Sequence, residues 1–169
     1  RGFQNFIIGS LHGWRKKRSK KLRFREAYVQ MGRQNGKSFL SGTEINNRAT
    51  FSGYQKGKIY CADTKQDQAN IVWDEVEKFI IADEELAELY RIRRHERTIT
   101  SKITGTEIKS VGRDTKSADG FRSILAIIDE YHAHPNNQMY KLMLDGQISV
   151  GSPLTLAITT AGFNINSPC

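Results

Sequence analysis

Short apolar runs alternate along this chain with longer segments whose apolar residues recur every three or four positions. The short runs, rich in β-branched residues, predict strands at residues 25–30, 58–62, 123–128 and 154–159. The longer segments predict helices at residues 37–47, 65–81 and 137–145. Two further runs, 98–103 and 106–111, flank Thr104 and Gly105, which predicts a β-hairpin. Strands that alternate with helices indicate an α/β fold with a mainly parallel sheet flanked by helices.

The size and composition of the chain fit one globular domain. Its 169 residues are 38% hydrophobic and 26% charged, which allows a buried core and excludes collagen-like and low-complexity chains. We expect residues 1–169 to form a single domain. The sequence begins, at Arg1 and Gly2, within a structural pattern, and it stops soon after a predicted strand. We therefore also expect a truncated part of a longer protein.

Positive charge is concentrated in one segment. The chain has 26 Lys and Arg against 18 Asp and Glu, a net charge of +8, and eight of the basic residues lie at positions 15–25 with no acid among them. The segment is either a solvated linker or a surface that contacts nucleic-acid phosphates. A second basic cluster at residues 91–97 is an alternative contact surface. The candidate contacts in the first segment are Arg15, Lys16, Lys17, Arg18, Lys20 and Lys21.

Targeting and redox signals are few. No apolar run reaches the roughly 18 residues of a membrane span, and the N-terminus has no apolar segment that ends in a small-residue cleavage site. Cys61 and Cys169 form neither a zinc-binding pattern nor a disulfide framework. We therefore expect a protein that neither spans a membrane nor is secreted, in a reducing, cytosolic setting.

A candidate phosphate-binding loop lies between the first predicted strand and the helix after it. Such a loop needs small residues for a tight turn, backbone N–H groups at a helix N-terminus, a lysine for the β- and γ-phosphates and a hydroxyl for Mg²⁺. Gly36, Lys37 and Ser38 supply these groups, although the glycine expected at Met31 is displaced to Gly32. The predicted nucleotide-binding residues of this P-loop are Gly32, Arg33, Gln34, Asn35, Gly36, Lys37 and Ser38.

Two adjacent acids, Asp129 and Glu130, follow the apolar run at residues 124–128. The carboxyl end of a buried parallel strand places such groups next to a phosphate loop. Asp129 would then hold Mg²⁺, and Glu130 would orient and deprotonate the attacking water. Acids are also favoured at helix N-caps, but the lysine-containing loop upstream favours the catalytic interpretation.

Small and hydroxylated residues end the last predicted strand, at Thr159, Thr160, Ala161 and Gly162. Hydroxyls at this position can hydrogen-bond the γ-phosphate region or Glu130 and so couple hydrolysis to movement. An ordinary polar turn is the alternative interpretation.

The order of these motifs resembles that of one protein family. A loop at residues 32–38, a Ser-Ala-Asp-Gly segment at 117–120, the acids within 127–133 and the turn at 158–162 look like the ATPase domain of the tailed-phage terminase large subunit. Residues 3–14 are also similar to the N-terminal segment of that family. The resemblance covers nearly the whole chain and implies a RecA-like (ASCE) P-loop NTPase core.

The resemblance implies a motor that hydrolyses ATP with Mg²⁺ and packages double-stranded DNA into a procapsid. The implied partners are the portal protein, the terminase small subunit and further copies of the chain in a homo-oligomeric ring. The implied location is the cytoplasm of the infected bacterial host. The nuclease domain that follows the ATPase domain in this family is absent from residues 1–169.

The resemblance also implies roles for particular residues. Lys37 and Arg33 would act at the phosphates, Ser38 and Asp129 would bind Mg²⁺, and Glu130 would be the catalytic base.

Other residues match the family less specifically. Gln4 matches a segment near the adenine. Ring ATPases use an arginine from the neighbouring subunit to stabilise transition-state charge, and we prefer Arg113 to Arg122 for this role. We interpret His132 and His134 as polar residues after Glu130, since two histidines do not make a zinc site.

Two alternative functions remain. A superfamily-2 helicase would use Asp129 to His132 as its DExH signature and Thr159 to Ala161 as its small-hydroxyl motif. A DNA-binding assembly module would bind nucleotide without hydrolysing it, although the complete set of Lys37, Ser38, Asp129 and Glu130 argues against this.

Overall fold

The computed structural model of the chain describes residues 2–63, 65–112 and 122–162. The strands are β1 (Glu26–Gln30), β2 (Lys58–Asp63), β3 (Tyr90–Arg93), β4 (Thr98–Ser101), β5 (Glu107–Gly112), β6 (Leu125–Ile128) and β7 (Leu154–Thr159). The helices are α1 (Gly2–Gly13), α2 (Lys37–Asn46), α3 (Gln66–Ile81), α4 (Glu84–Glu88) and α5 (Gln138–Gly146). A π-helical turn, Asn47–Phe51, continues α2.

All seven strands form one sheet in the order β1-β7-β6-β2-β5-β4-β3. The strands from β1 to β5 in this order pair in parallel, whereas β4 pairs antiparallel with both β5 and β3. The predicted mainly parallel sheet and the predicted β4–β5 hairpin are therefore confirmed. Connections through helices account for the parallel pairs, because a parallel partner requires a crossover.

Helices cover both faces of the sheet and bury its centre. Every residue of β6 and β7 is buried, as a strand with helices on both sides requires. Ile59 and Cys61 of β2 face the cluster that includes Trp73 of α3, while Tyr60 of the same strand faces the cluster that includes Met143 of α5. The alternation along β2 thus divides the core into two layers.

Three described elements were not predicted. Helix α1 lacks an acid in its first turn and carries an internal glycine, Gly9, so its pattern is weak. Helix α4 has only five residues. Strand β3 carries Arg91 and Arg93 at the edge of the sheet, where charged side chains are tolerated because one side of the strand faces solvent.

A buried charge network joins α1 to α2. Glu44 is 0% exposed and Arg48 is 2% exposed; the Arg48 Nε donates a hydrogen bond to Glu44 Oε1 over 3.1 Å. The other carboxylate oxygen, Oε2, lies 2.6 Å from Nε2 of His12. The pairing makes these buried charges tolerable, because an isolated one would be costly.

The basic segment is a folded loop and not an extended linker. Arg15 and Leu22 form an antiparallel bridge, and the Lys16 N–H donates to the Lys21 carbonyl over 2.8 Å. Leu22 is buried, and its N–H donates to the hydroxyl of Ser152 before β7. The cations of the loop are therefore held at one end of the sheet. In the described parts of the chain, no helix has the length and apolar character needed to cross a membrane.

Candidate functional site

The predicted nucleotide motifs meet at the carboxyl ends of three neighbouring parallel strands. β1 leads into the P-loop, β6 into Asp129 and Glu130, and β7 into Thr160. The Met31 N–H donates to the Thr159 carbonyl over 3.0 Å, which fastens the start of the loop to the end of β7. Ligands of open α/β sheets bind at this edge.

The P-loop has the backbone of an anion cradle. Gln34 and Gly36 have positive φ angles of 59° and 85°, and the Asn35 amide donates to the carbonyls of Gly32 and Arg33 over 3.3 and 3.1 Å. Gly36 caps α2 without a side chain, so it leaves the first N–H groups of the helix for an anionic ligand. Arg33 and Gln34 are exposed at the rim.

Gln4 of α1 packs directly against the P-loop. A Cβ on Gly36 would lie only 2.7 Å from the Gln4 Nε2, so this close approach and the positive φ both favour glycine. The structure thus places Gln4 beside the phosphate cradle, while its role near adenine stays a prediction.

Lys37 lies between the two predicted catalytic acids. Its Nζ contacts Oε1 of Glu130 and is 3.7 Å from Oδ1 of Asp129. Glu130 adopts a left-handed backbone with φ of 43°, an uncommon conformation for a non-glycine residue that turns the side chain toward the loop. Burial favours a higher pKa for Glu130, but the hydrogen bond and charge of Lys37 outweigh it and hold that pKa below its ordinary value.

Asp129 has the opposite electrostatic character. Burial raises its pKa above the ordinary aspartate value, against the opposing charge of Lys37. Its Oδ1 is buried and accepts no hydrogen bond from any described residue. Ser38 and Asp129 line the same cavity of about 70 Å³.

These features fit a nucleotide-bound Mg²⁺. Mg²⁺ prefers oxygen ligands and usually takes few from the protein, and an unsatisfied carboxylate oxygen that shares a cavity with a hydroxyl matches this demand. The described residues contain no cluster of three or more His, Cys, Asp or Glu for a metal held by protein alone. Ser38 and Asp129 are therefore suited to a metal that phosphates also ligate.

The end of β7 contacts the same acid. The Thr160 hydroxyl donates to Oε2 of Glu130 over 3.3 Å. The Thr159 hydroxyl donates to the Thr160 carbonyl over 2.9 Å and accepts the N–H of His132 over 3.0 Å. Gly162 packs on His132, since a Cβ there would lie 2.9 Å from the His132 Cβ. Sequence reasoning gave His132 no role, and its place two residues after Glu130 was the available signal.

Two predicted features lie outside the described residues: Arg113 and the segment 117–120. Arg122 is described, and it lines a cavity with Lys56 and Lys58 at the amino ends of β6 and β2. This is the edge of the sheet opposite the P-loop.

A basic face occupies this opposite edge. Three cavities of about 380, 220 and 300 Å³ adjoin there, since Tyr54 lines all of them, and no Asp or Glu lines any. Within the described ranges, no carboxylate forms an ion pair with the exposed cations of these cavities. We define the basic face as these exposed cations, Arg15, Lys20, Lys21, Lys56, Lys58 and Arg122.

The second basic cluster is largely neutralised by acids. Arg93 pairs with Glu96 over 2.7 Å, Arg94 pairs with Glu77 over 2.5 Å, and Arg97 pairs with Asp74. Arg97 also lies over the Trp73 ring, 5.3 Å from its centroid. Arg94 and Arg97 thus tie α3 to the segment beside β3, and all three paired arginines are less available to an external anion than unpaired cations are.

Comparison with known families identifies the domain. Residues 2–169 match the model of the family "Terminase large subunit, ATPase domain". The chain belongs to this family. The match agrees with the terminase resemblance of the motifs and favours it over the helicase alternative.

Solved terminases share the fold. The large terminase of bacteriophage HK97 has a TM-score of 0.83 and 21% identity, with 99% of this chain and 34% of that chain covered. The large terminase of a thermophilic bacteriophage, in complex with ADP, has a TM-score of 0.64 and 16% identity, with 89% and 37% covered. The predicted RecA-like core is confirmed. The chain spans about a third of the length of either structure.

One curated relative is similar over a shorter stretch. Protein YmfN of Escherichia coli (strain K12) is 44% identical over 54 residues, which are 32% of this chain and 12% of that protein.

Proposed function

We propose that this terminase ATPase domain hydrolyses ATP with Mg²⁺ and that hydrolysis drives the packaging of double-stranded DNA into a procapsid. The observation that carries the proposal is the convergence of Lys37, Asp129, Glu130 and Thr160 at one edge of the sheet. A P-loop NTPase needs a cation, a metal-binding carboxylate, a base and a group that senses the reaction at this position.

The chain provides binding groups for the triphosphate. The N–H groups at the start of α2 and the Lys37 ammonium would bind the β- and γ-phosphates, as in other P-loops. Arg33 is exposed on the loop and would contact the γ-phosphate, and Gln4, which lies beside Gly36, would lie near the adenine. The ADP complex of the thermophilic bacteriophage terminase is consistent with nucleotide binding by this fold.

Ser38 and Asp129 would hold the Mg²⁺. When bound, the ion neutralises charge on the β- and γ-phosphate oxygens. The desolvated carboxylate of Asp129 gains a partner for its unsatisfied oxygen in this arrangement, and the cavity it shares with Ser38 brings the second ligand close.

Glu130 acts as the base. Lys37 contacts Glu130, and binding of the ATP phosphates by Lys37 would release this carboxylate. The released carboxylate accepts a proton from water as the water oxygen bonds the γ-phosphorus and the bond to the ADP oxygen breaks. The lowered pKa of Glu130 keeps it ionised at neutral pH before nucleotide binds.

The end of β7 couples hydrolysis to movement. Thr160 hydrogen-bonds Glu130, and Thr159 joins β7 to the start of the P-loop through its carbonyl. A change in the position of Glu130 on hydrolysis would therefore move the segment from Thr159 to Gly162. This displacement would reach the rest of the motor.

The basic face is the DNA contact that the charge distribution favours. The loop cations Lys16, Lys17 and Arg18 lie beside it and are exposed. Unpaired cations attract phosphates without regard to sequence, as a packaging motor requires. The acid-paired arginines of residues 91–97 are weaker candidates.

The remaining partners follow from the family. Portal protein, terminase small subunit and neighbouring copies in a ring would assemble with the domain in the cytoplasm of an infected bacterium. A neighbouring copy would insert an arginine, for which Arg113 is our candidate.

ATP turnover with and without double-stranded DNA tests the proposal. We expect Glu130→Gln and Lys37→Ala each to lower turnover about 100-fold or more, with DNA binding unchanged because neither residue lies on the basic face. Lys78→Ala, which alters an exposed pair with Glu75, is the matched control and should keep wild-type turnover. Nucleotide binding with no turnover in the wild type would instead support the non-hydrolysing module.

A further inference from the structure

His132 lies between the catalytic acid and the end of β7. Its Nδ1 is 3.2 Å from Oε2 of Glu130 and 2.8 Å from the hydroxyl oxygen of Thr159. Its backbone N–H donates to the same hydroxyl. The hydrolysis scheme above uses none of these contacts.

The hydroxyl of Thr159 determines which way the hydrogen bond to the ring runs. A hydroxyl has one proton and two lone pairs. The proton of Thr159 goes to the Thr160 carbonyl, and one lone pair accepts the His132 N–H. With its proton in that bond, the hydroxyl accepts from the ring, and Oε2 of Glu130, which lies 3.2 Å from Nδ1, is also an acceptor, so a hydrogen on Nδ1 of His132 suits both neighbours.

The two oxygens of Glu130 therefore have separate surroundings. Oε1 contacts Lys37, while Oε2 receives the Thr160 hydroxyl and faces Nδ1–H of His132. When Lys37 turns to the phosphates, Oε2 keeps its donors and Oε1 is left free. The oxygen that accepts the proton from water is then Oε1.

We propose that His132 is a positioning residue that anchors Oε2 of Glu130 through Nδ1–H and ties this anchor to Thr159. The inference rests on the proposed role of Glu130 as the base. Because Nδ1 of His132 lies against both the Thr159 hydroxyl and Oε2 of Glu130, a shift at the end of β7 would move the base. Gly162 supports the ring from the other side, where a Cβ would lie 2.9 Å from the His132 Cβ.

Three substitutions of His132 in the full chain test the Nδ1 donor. Asn places an amide donor near the δ position, Gln places it near the ε position, and Ala removes it. We expect His132→Ala and His132→Gln to lower kcat about 10- to 100-fold, as a misplaced catalytic group does, with KM for ATP within about twofold because the phosphate cradle is intact. His132→Asn should stay within about threefold of wild type.

Gly162→Ala provides a variant that keeps every hydrogen-bonding group. The added methyl would lie 2.9 Å from the His132 Cβ and displace His132, so kcat should fall about tenfold. If a His132 variant does not fold, the kcat of Gly162→Ala tests the proposal instead.

Wild-type kcat in His132→Ala would overturn the proposal, as would equal losses in the Asn, Gln and Ala variants. Glu130→Gln separates this outcome from failure of the proposed function. If turnover is unchanged in Glu130→Gln, the proposed role of Glu130 as the base is wrong. If turnover falls in Glu130→Gln but not in His132→Ala, only the positioning role of His132 is wrong.

Discussion

The two ends of the parallel strands carry opposite charge arrangements. At the carboxyl end, Lys37 contacts Glu130 and lies near Asp129, so charges of both signs are already paired. At the amino end, the cations of the basic face pair with no carboxylate in the described parts of the chain. A ligand at the first end must replace existing partners with the right geometry, whereas a polyanion at the second end needs only negative charge. One sheet thus separates a selective site from an unselective one.

A third region shows that the number of basic residues alone does not define a binding surface. Residues 91–97 include four arginines, but Arg93, Arg94 and Arg97 pair with acids. Whether a basic side chain is available to an external anion therefore depends on which acids the fold places next to it.

The largest expected effect comes from the buried support of the basic face. Arg48 lines its middle cavity and pairs with Glu44. Glu44→Gln leaves the buried guanidinium without its counter-charge, and we expect the free energy of unfolding to fall by about 3 kcal/mol or more. Urea unfolding measures the change. Glu75→Gln, which loosens the exposed pair with Lys78, should cost less than about 1 kcal/mol, and equal losses would contradict the difference in burial.

The next effect concerns DNA affinity. Replacing Lys20, Lys21, Lys56 and Lys58 by Ala should weaken binding of a double-stranded oligonucleotide about tenfold or more and flatten the salt dependence, because fewer counterions are released. ATP turnover without DNA should not change. Fluorescence anisotropy at several salt concentrations measures both quantities.

The matched control removes Arg93 and Arg94. Their charges are paired with Glu96 and Glu77, so we expect little change in affinity or salt slope. A larger loss here than in the lysine variant would move the DNA contact to residues 91–97.

The smallest expected effect is a change in melting temperature, which should have opposite signs for substitutions of two neighbouring acids. Burial raises the pKa of Asp129, so its charged form weakens the fold, whereas the pKa of Glu130 is lowered, so its charge strengthens it. In the nucleotide-free protein at neutral pH, Asp129→Asn should raise the melting temperature and Glu130→Gln should lower it.

The gain from Asp129→Asn should fade as the pH falls through the raised pKa of Asp129 toward the ordinary aspartate value, because the wild-type carboxyl is then protonated. The deficit of Glu130→Gln should disappear as the pH falls through the ordinary glutamate pKa and then the lowered pKa of Glu130. Thermal melts between acidic and neutral pH measure both trends. Shifts of the same sign in both variants would contradict the assignment.

Much of the fold was predictable because its strands are strongly apolar. Strand β7 was predicted with its observed bounds, and α3 was predicted to within one residue at its start. Phe79, an apolar residue of α3, is only partly buried and packs edge-on against Phe39. Elements were missed where the pattern is weak, as in the glycine-containing α1, or where charge suggests a loop, as in β3.

The site was predictable in its residues more than in its contacts. Motif spacing identified Lys37, Asp129 and Glu130, which the structure brings together. Spacing could not show that His132 turns back to Thr159, because this depends on the left-handed backbone at Glu130. It also could not distinguish paired from unpaired arginines, which depends on how α3 packs beside β3.

The contact between Lys37 and Glu130 makes the acid a rival of ATP for the same ammonium group. Lys37 has to leave Glu130 before it can bind a phosphate, so the contact with the acid lowers the affinity for ATP. By reciprocity, a change that weakens the contact between Lys37 and Glu130 should strengthen the binding of ATP.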